Sequence, residues 1–179
     1  MFIHTYAQVL SSSIGPGTRV YQFAVIMEGA RIGEDCNINA HTLIEGGVEL
    51  GDRVTVKSGV YIWNGTIIES DVFIGPGVVF TNDPFPRSKQ YPSHWRGVHV
   101  KRHASVGAGA VLLPGVVVGE HAMVGAGAVV TNHVLPREVV VGNPAKRYGF
   151  VCLCDRVLRD AVCDSCGFEP GTASNPTAL

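Results

Sequence analysis

Aliphatic residues recur along this chain at every sixth position. Counting from Ile14, the positions Val20, Ile26, Ile32, Ile38, Ile44, Leu50, Val56, Ile62, Ile68, Ile74 and Phe80 are all apolar. The count restarts at Val100 and continues through Val106, Leu112, Val118, Val124 and Val130. Two residues before each lies a small one: Ser12, Thr18, Ala24, Ala30, Cys36, Thr42, Val48, Val54, Val60, Thr66, Val72 and Val78, then Ala104, Ala110, Val116, Ala122 and Ala128. A period of six matches neither the helical period of about 3.6 nor the alternation of a half-buried strand. It fits short strands joined by tight corners, each sending one large and one small side chain inward. Three such strands close a triangular coil of 18 residues, and stacked coils pair their strands in parallel. Each coil buries its face only against its neighbours, as in any solenoid. Gly15, Gly33, Gly51, Gly75, Gly107, Gly119 and Gly125 directly follow the large position. The reading expects them to supply unusual backbone angles at the corners.

The repeat is interrupted once, by FTNDPFPRSKQYPSHWRG at residues 80–97. Twenty residues separate Phe80 from Val100 where six would continue the count. A long irregular excursion in a compact domain is usually functional. This one carries Asn82, Asp83, Phe85, Arg87, Lys89, Tyr91, His94 and Trp95, with prolines limiting its freedom. That suits a ligand lid, an arm packed against another subunit, or both. Stacking the chain in coils of 18 puts Asn82 above Asn64 and Asn64 above Gly46, beside a column of Glu45, Trp63 and Thr81. One corner of the prism therefore presents Glu45, Trp63, Asn64 and Asn82, and His41 lies four residues before Glu45.

These repeats resemble the hexapeptide-repeat acyltransferases over residues 2–150, including the exit segment VVVGNPAKRYGF. The resemblance implies an all-β, left-handed parallel β-helix assembled as a homotrimer with sites between subunits. The strings CNINAHTLIE, SGVYIWNG and FIGPGVVFTNDPFPRSKQYP narrow it. They are similar to the branch that N-acetylates the 3-amino group of dTDP-linked 3-amino-3,6-dideoxyhexoses for bacterial surface glycans. Acceptors linked to UDP are the nearest alternative. The implied substrates are acetyl-CoA and a nucleotide sugar, with Glu45, Trp63, Asn64, Asp83 and Arg87 as acceptor contacts. Acetyl-CoA would lie along Ala108 and Ala126, one coil apart in GAGAVLLPG and GAGAVV, with Lys146 and Arg147 meeting its phosphates.

Acyl transfer to an amine needs a free amine, an oriented thioester carbonyl and a place for the oxyanion. Members acting on 4-amino sugars carry a histidine base in an I-E-H-D motif, but this chain reads Ile44-Glu45-Gly46-Gly47. Two routes stay open. His41 acts as base, since histidine titrates near neutrality. Otherwise Asn82 holds the neutral amine and the departing thiolate takes the proton; orientation alone contributes about 7–11 kcal/mol.

Composition adds boundaries. The chain has 179 residues, a formal net charge of −1 and 16% charged residues, which gives no basic footprint for nucleic acid. No apolar run is long enough for a membrane span, and the start shows no signal peptide. A cytoplasmic protein is expected. Cys152, Cys154, Cys163 and Cys166 form C-x-C…C-x-x-C, which suits a closed structural zinc site; four free thiols are the alternative. The expected division is a β-helix over 1–150 with its insertion at 81–97, a cysteine-rich segment over 151–168 and a polar tail over 169–179. His103 and His121 also stack 18 residues apart near His99. That admits a carbonic anhydrase-like zinc enzyme of the same β-helix class. A non-catalytic trimeric scaffold is the other alternative, and it would not need the insertion.

Overall fold

The computed structural model describes residues 1–159 and 161–170, so most of the expected polar tail lies outside the described residues. The described chain is a β-helix of about eight turns, with no helix among those residues. Its three faces are parallel sheets. The first contains Phe2–Ile3, Arg19–Val20, Asn37–Ile38, Thr55–Val56, Phe73–Ile74, Ser105–Val106, Met123–Val124 and Glu138–Val141. The second runs Gln8–Val9, Val25–Ile26, Leu43–Ile44, Tyr61–Ile62, Val79–Phe80, Val111–Leu112 and Val129–Val130. The third holds Arg31–Ile32, Glu49–Leu50, Ile67–Ile68, His99–Val100 and Val117–Val118. The stacked parallel coils expected from the repeat are observed, and they are consistent with the left-handed β-helix that the resemblance implies.

Register follows the period. Leu43 pairs with Tyr61 and Arg19 with Asn37, each 18 residues on, while Val79 pairs with Val111 across the insertion. The large column fills the core: Ile26, Ile38, Ile44, Ile62 and Ile74 are fully buried. The small column lies beside it, with Ala24, Ala30, Val48, Val54 and Val60 equally buried. Thr18 shows how a hydroxyl can be satisfied within the stack, whereas the buried Thr66 Oγ1 has no hydrogen-bond partner among the described residues. Thr18 donates to the Gly33 carbonyl at 2.8 Å and accepts the Cys36 amide at 3.0 Å. Cys36 is core, and burial pushes its thiol pKa up.

The ends depart from the count. Phe2–Ile3 and Gln8–Val9 form the first two sides of the first coil, whose third side is Ile14, where the sequence count begins. Val9 and Ile14 are five residues apart, so one short corner breaks the six-residue phase. Ser12 is exposed and Ile14 only half-buried, because few atoms lie beneath this coil. At the other end Val134 bridges to Val118 only four residues after Val130, which tightens the last corner. The chain then reverses: Lys146–Val151 pairs antiparallel with Glu138–Val141, and Val157–Leu158 with Lys146–Val151. This strand runs through residue 150, so the β-helix and the cysteine-rich segment share one sheet.

The glycine expectation is corrected. Glycines directly after the large position do not take positive φ; they allow close approach between coils. A Cβ at Gly107 would stand 2.5 Å from the Ala126 nitrogen, and one at Gly75 would stand 2.7 Å from that of Ala108. Positive φ falls two residues later, as at Gly77 (φ 65°) and Gly109 (φ 66°).

Because each coil is held only by its neighbours, truncating one large side chain leaves a cavity the stack cannot close. Ile62→Ala should cost about 2–5 kcal/mol in urea unfolding, and a cost below about 1 kcal/mol would contradict this packing.

Candidate active site

Each coil turns three corners. The corner from the second to the third sheet carries Glu45, Trp63–Asn64 and then Thr81–Asn82 in consecutive coils. Glu45 Oε2 accepts the Asn64 backbone N–H at 2.7 Å. Asn82 Nδ2 donates to the Asn64 carbonyl at 3.1 Å, which orients the other amide atom, Oδ1, away from that carbonyl. The three side chains are half-buried. The sequence register that stacks Asn82 on Asn64 is therefore realised as a hydrogen-bonded ladder. Trp63 stands edge-on to Tyr61, with ring centroids 6.2 Å apart.

The insertion leaves the helix just above this ladder and returns at Val98, which is fully buried in the small column. Its base is zipped: the Arg96 amide donates to the Asn82 carbonyl at 3.0 Å, and the Gly115 amide to the Arg96 carbonyl at 3.0 Å. Gly97 lies against the Gly65 backbone so closely that a Cβ there would overlap it. Asp83 Oδ1 accepts the Phe85 amide at 2.9 Å and closes the first turn of the loop. Arg87 is exposed, and its guanidinium donates to the Pro86 carbonyl at 2.8 Å. Phe85 and Tyr91 at the loop's outer side are 81% and 79% exposed, so in one chain they cover nothing.

His41 belongs to a different corner, between the first and second sheets. It takes φ 58° and stacks on Phe23 at 5.1 Å, and Phe23 stacks on Tyr6 at 5.8 Å. His41 and the carboxamide ladder flank the same face. A groove of about 440 Å³ there is lined by Phe23, Met27, His41, Glu45, Tyr61 and Trp63 among others. The sequence reading missed Tyr61, Met27 and Phe23. They occupy outward or corner positions that a count of inward residues passes over.

Above His41 the same column of positive φ continues as Gly59, Gly77, Gly109 and Gly127. A Cβ at any of the four would meet no atom of the chain within 4 Å. Phe23 and His41 show that this position tolerates a side chain, so the glycines leave a bare strip about 14 Å long. Ala108 and Ala126 are exposed at its upper part, and the Gly127 amide donates to the Ala108 carbonyl at 2.8 Å. Beyond the last coil, Arg147, Tyr148, Gly149 and Arg159 line a polar recess of about 400 Å³. Arg159 lies over the Tyr148 ring at 4.4 Å, Arg147 over Phe150 at 5.5 Å, and Lys146 is exposed. Arg159 had no signal in the repeat, because antiparallel pairing beyond the last coil brings it there.

The histidines behind the zinc-enzyme alternative are placed separately. His103 and His121 stack at 4.6 Å, and burial, with Arg137 and His103 beside it, lowers the His121 pKa. His99 turns instead to Glu69 at 2.7 Å. A recess of about 780 Å³ lies on the third sheet beside the Arg31–Glu49 ion pair and is lined by no residue of the insertion. The four C-terminal cysteines cluster with every Sγ within 4.8 Å of the others.

A parallel β-helix with an insertion over one corner defines a hexapeptide-repeat protein. The Bacterial transferase hexapeptide (six repeats) family matches residues 11–46, 47–82 and 97–132, skipping the insertion. The chain belongs to this family. It is 49% identical over 170 residues, 93% of this chain and 88% of the relative, to the dTDP-3-amino-3,6-dideoxy-alpha-D-galactopyranose 3-N-acetyltransferase of Aneurinibacillus thermoaerophilus. Among solved structures it is similar in fold to a Bacillus cereus protein described as an acetyltransferase, with a TM-score of 0.62, 23% identity, and 86% and 84% of the two chains covered. AntD, a Bacillus cereus N-acyltransferase solved with dTDP and 3-hydroxybutyryl-CoA, has a TM-score of 0.51 at 21% identity, covering 81% of this chain and 77% of its own.

If Gly97 seats the loop on Gly65, Gly97→Ala should leave the circular dichroism of the β-helix intact yet speed tryptic cleavage after Arg87 and Lys89. Unchanged digestion would contradict that seating.

Proposed function

We propose that this protein transfers the acetyl group of acetyl-CoA to the 3-amino group of a dTDP-linked 3-amino-3,6-dideoxyhexose, a step in making bacterial surface glycans. The observation that carries the reading is the 49% identity to the sugar 3-N-acetyltransferase across nearly the whole chain, insertion included. The carboxamide ladder beneath the insertion gives that likeness a chemical location. A UDP-linked 3-amino sugar remains the second acceptor to try, because the loop's polar groups do not by themselves distinguish thymine from uracil.

Asn82 is the positioning group. With Nδ2 committed to the Asn64 carbonyl, Oδ1 accepts an N–H from the neutral sugar amine and aims its lone pair at the thioester carbonyl. A C–N bond forms, the C–S bond breaks, and the leaving thiolate takes the proton that the amine loses. Glu45 anchors the ladder by holding the Asn64 amide. Glu45, Trp63, Asn64, Asp83 and Arg87 surround the acceptor, with Arg87 on its diphosphate through paired guanidinium donors. The pantetheine arm follows the bare glycine strip past Ala108 and Ala126, and Lys146 and Arg147 meet the cofactor phosphates.

The exposed faces fit sites shared between chains of a homotrimer. Above the exposed Gln8, the outward residues of the second sheet are Val25, Leu43, Tyr61, Val79, Val111 and Val129, an apolar stripe up the face beside the groove. A second chain laid on this face covers the stripe, and the exposed Phe85 and Tyr91 reach across to it. Among the described residues no helix is long and apolar enough to cross a membrane. None of the five cysteines is joined in a disulfide, and thiols that stay reduced or hold a metal suit a reducing cytoplasm.

Thiol release from acetyl-CoA with dTDP-3-amino-3,6-dideoxygalactose, run beside a UDP-linked 3-amino sugar, tests the activity. Release with the dTDP sugar is expected; release only with the UDP sugar would change the acceptor, and silence with both would reject the function. Two variants separate the chemical routes. Asn82→Ala should lower kcat far more than it raises the KM for acetyl-CoA, whereas His41→Asn should stay within a few-fold of the parent. A loss of about a hundredfold in His41→Asn would make His41 the general base and overturn the base-free route.

A further inference from the structure

We infer that Cys152, Cys154, Cys163 and Cys166 form a closed zinc site that fastens the C-terminal segment to the end of the β-helix. The assignment is independent of the reading of the groove.

The sulfurs are arranged for one ion. All four lie within 4.8 Å of one another, with Cys152–Cys154 at 3.2 Å and Cys154–Cys163 at 3.5 Å. Tetrahedral zinc with Zn–S bonds of about 2.3 Å sets its sulfurs about 3.8 Å apart, within the same range. Each sulfur thus neighbours the others as a group, whereas disulfides would sort them into two pairs.

The backbone around them is built in two matching turns. In the first, the Cys152 amide donates to the Arg156 carbonyl at 2.9 Å and the Asp155 amide to the Cys152 carbonyl at 3.1 Å. In the second, the Cys163 amide donates to the Phe168 carbonyl at 2.9 Å and the Gly167 amide to the Cys163 carbonyl at 2.8 Å. In both, the residue after the second cysteine takes positive φ: Asp155 at 59° and Gly167 at 68°. The Arg156 amide also donates to Cys152 Sγ at 3.3 Å, an outer contact of the kind that stabilises a metal-bound thiolate. Arg156 Nη1 reaches Ser165 Oγ at 3.0 Å and ties one turn to the other. Arg137 Nη1 donates to the Cys152 carbonyl at 3.0 Å, adding a second guanidinium beside a cluster that would carry net negative charge.

Burial explains why an ion belongs there. Between Cys152 and Cys166 the only buried residues among those described are Cys152 and Cys163, while Leu153, Val157 and Val162 are 62%, 43% and 51% exposed. So little apolar burial cannot order a segment of this length, and a structural metal supplies what the core does not. On binding, Zn²⁺ replaces the thiol protons, which pass to solvent, and no group changes oxidation state. With four protein sulfurs the ion has no open position, so its role is structural. It holds Val157–Leu158 on Lys146–Val151, and thereby the outer edge of the first sheet.

The test uses the full chain, without a polyhistidine tag, purified in reductant with no added metal. Elemental analysis should find about one zinc per chain, and cobalt exchange should give thiolate charge-transfer and tetrahedral d–d bands. The double variant Cys163→Ser, Cys166→Ser should lose the metal and become open to trypsin at Arg156 and Arg159 while the β-helix dichroism persists. Wild-type chain that carries no zinc and takes up none on titration would overturn the site. So would an intact mass four hydrogens low, which reports two disulfides.

Discussion

Everything in this molecule depends on parallel pairing between coils stacked about 4.8 Å apart. That spacing leaves no room for variation in the side chains that point inward. Each two-residue strand contributes one large apolar residue, as at Ile44, Ile62 and Phe80, with a small one two positions before it. The same closeness sets the corners. Gly107 is needed because the next coil's backbone passes beside it, while Gly109 turns with positive φ at a position where Phe23 and His41 carry side chains lower in the stack. Stability is therefore distributed along the stack and held between nearest neighbours.

Chemistry enters where the corners are released from that constraint. Outside the prism, a corner side chain meets mainly residues of the coils directly below and above it, so columns of like function can be written up the surface. One column becomes the Glu45–Asn64–Asn82 ladder; another changes from Phe23 and His41 to four bare glycines. The insertion adds mobile-looking chemistry to a rigid base only in appearance, since its two ends are joined at Asn82–Arg96 and seated by Gly97. The proposed acceptor and donor sites are thus two edges of one face, on either side of the stripe from Val25 to Val129.

The fold was legible because a period of six over so many strands admits few other structures, and stacking by 18 correctly brought Asn82 over Asn64. Legibility failed where the phase changed. The strands of Ile3 and Val9 escaped because the next step, to Ile14, is five residues, and Val134 because its step is four. Reading the glycines after the large position as turn formers mistook close approach for backbone freedom. The sequence could say that His41 and Glu45 share a coil, but not that they stand at opposite edges of a groove. Arg159 was invisible because antiparallel strands, with no repeat to announce them, carry it to Tyr148.

The most direct test of the central claim is a crystal structure of the assembled protein with CoA and the dTDP-linked 3-amino sugar. The account predicts the sugar amine within hydrogen-bonding distance of Asn82 Oδ1, under the loop, and the pantetheine along the strip from Gly59 to Gly127 at a face shared by two chains. A sugar seated in the third-sheet recess beside Arg31 and Glu49, or a CoA that avoids the glycine strip, would contradict it.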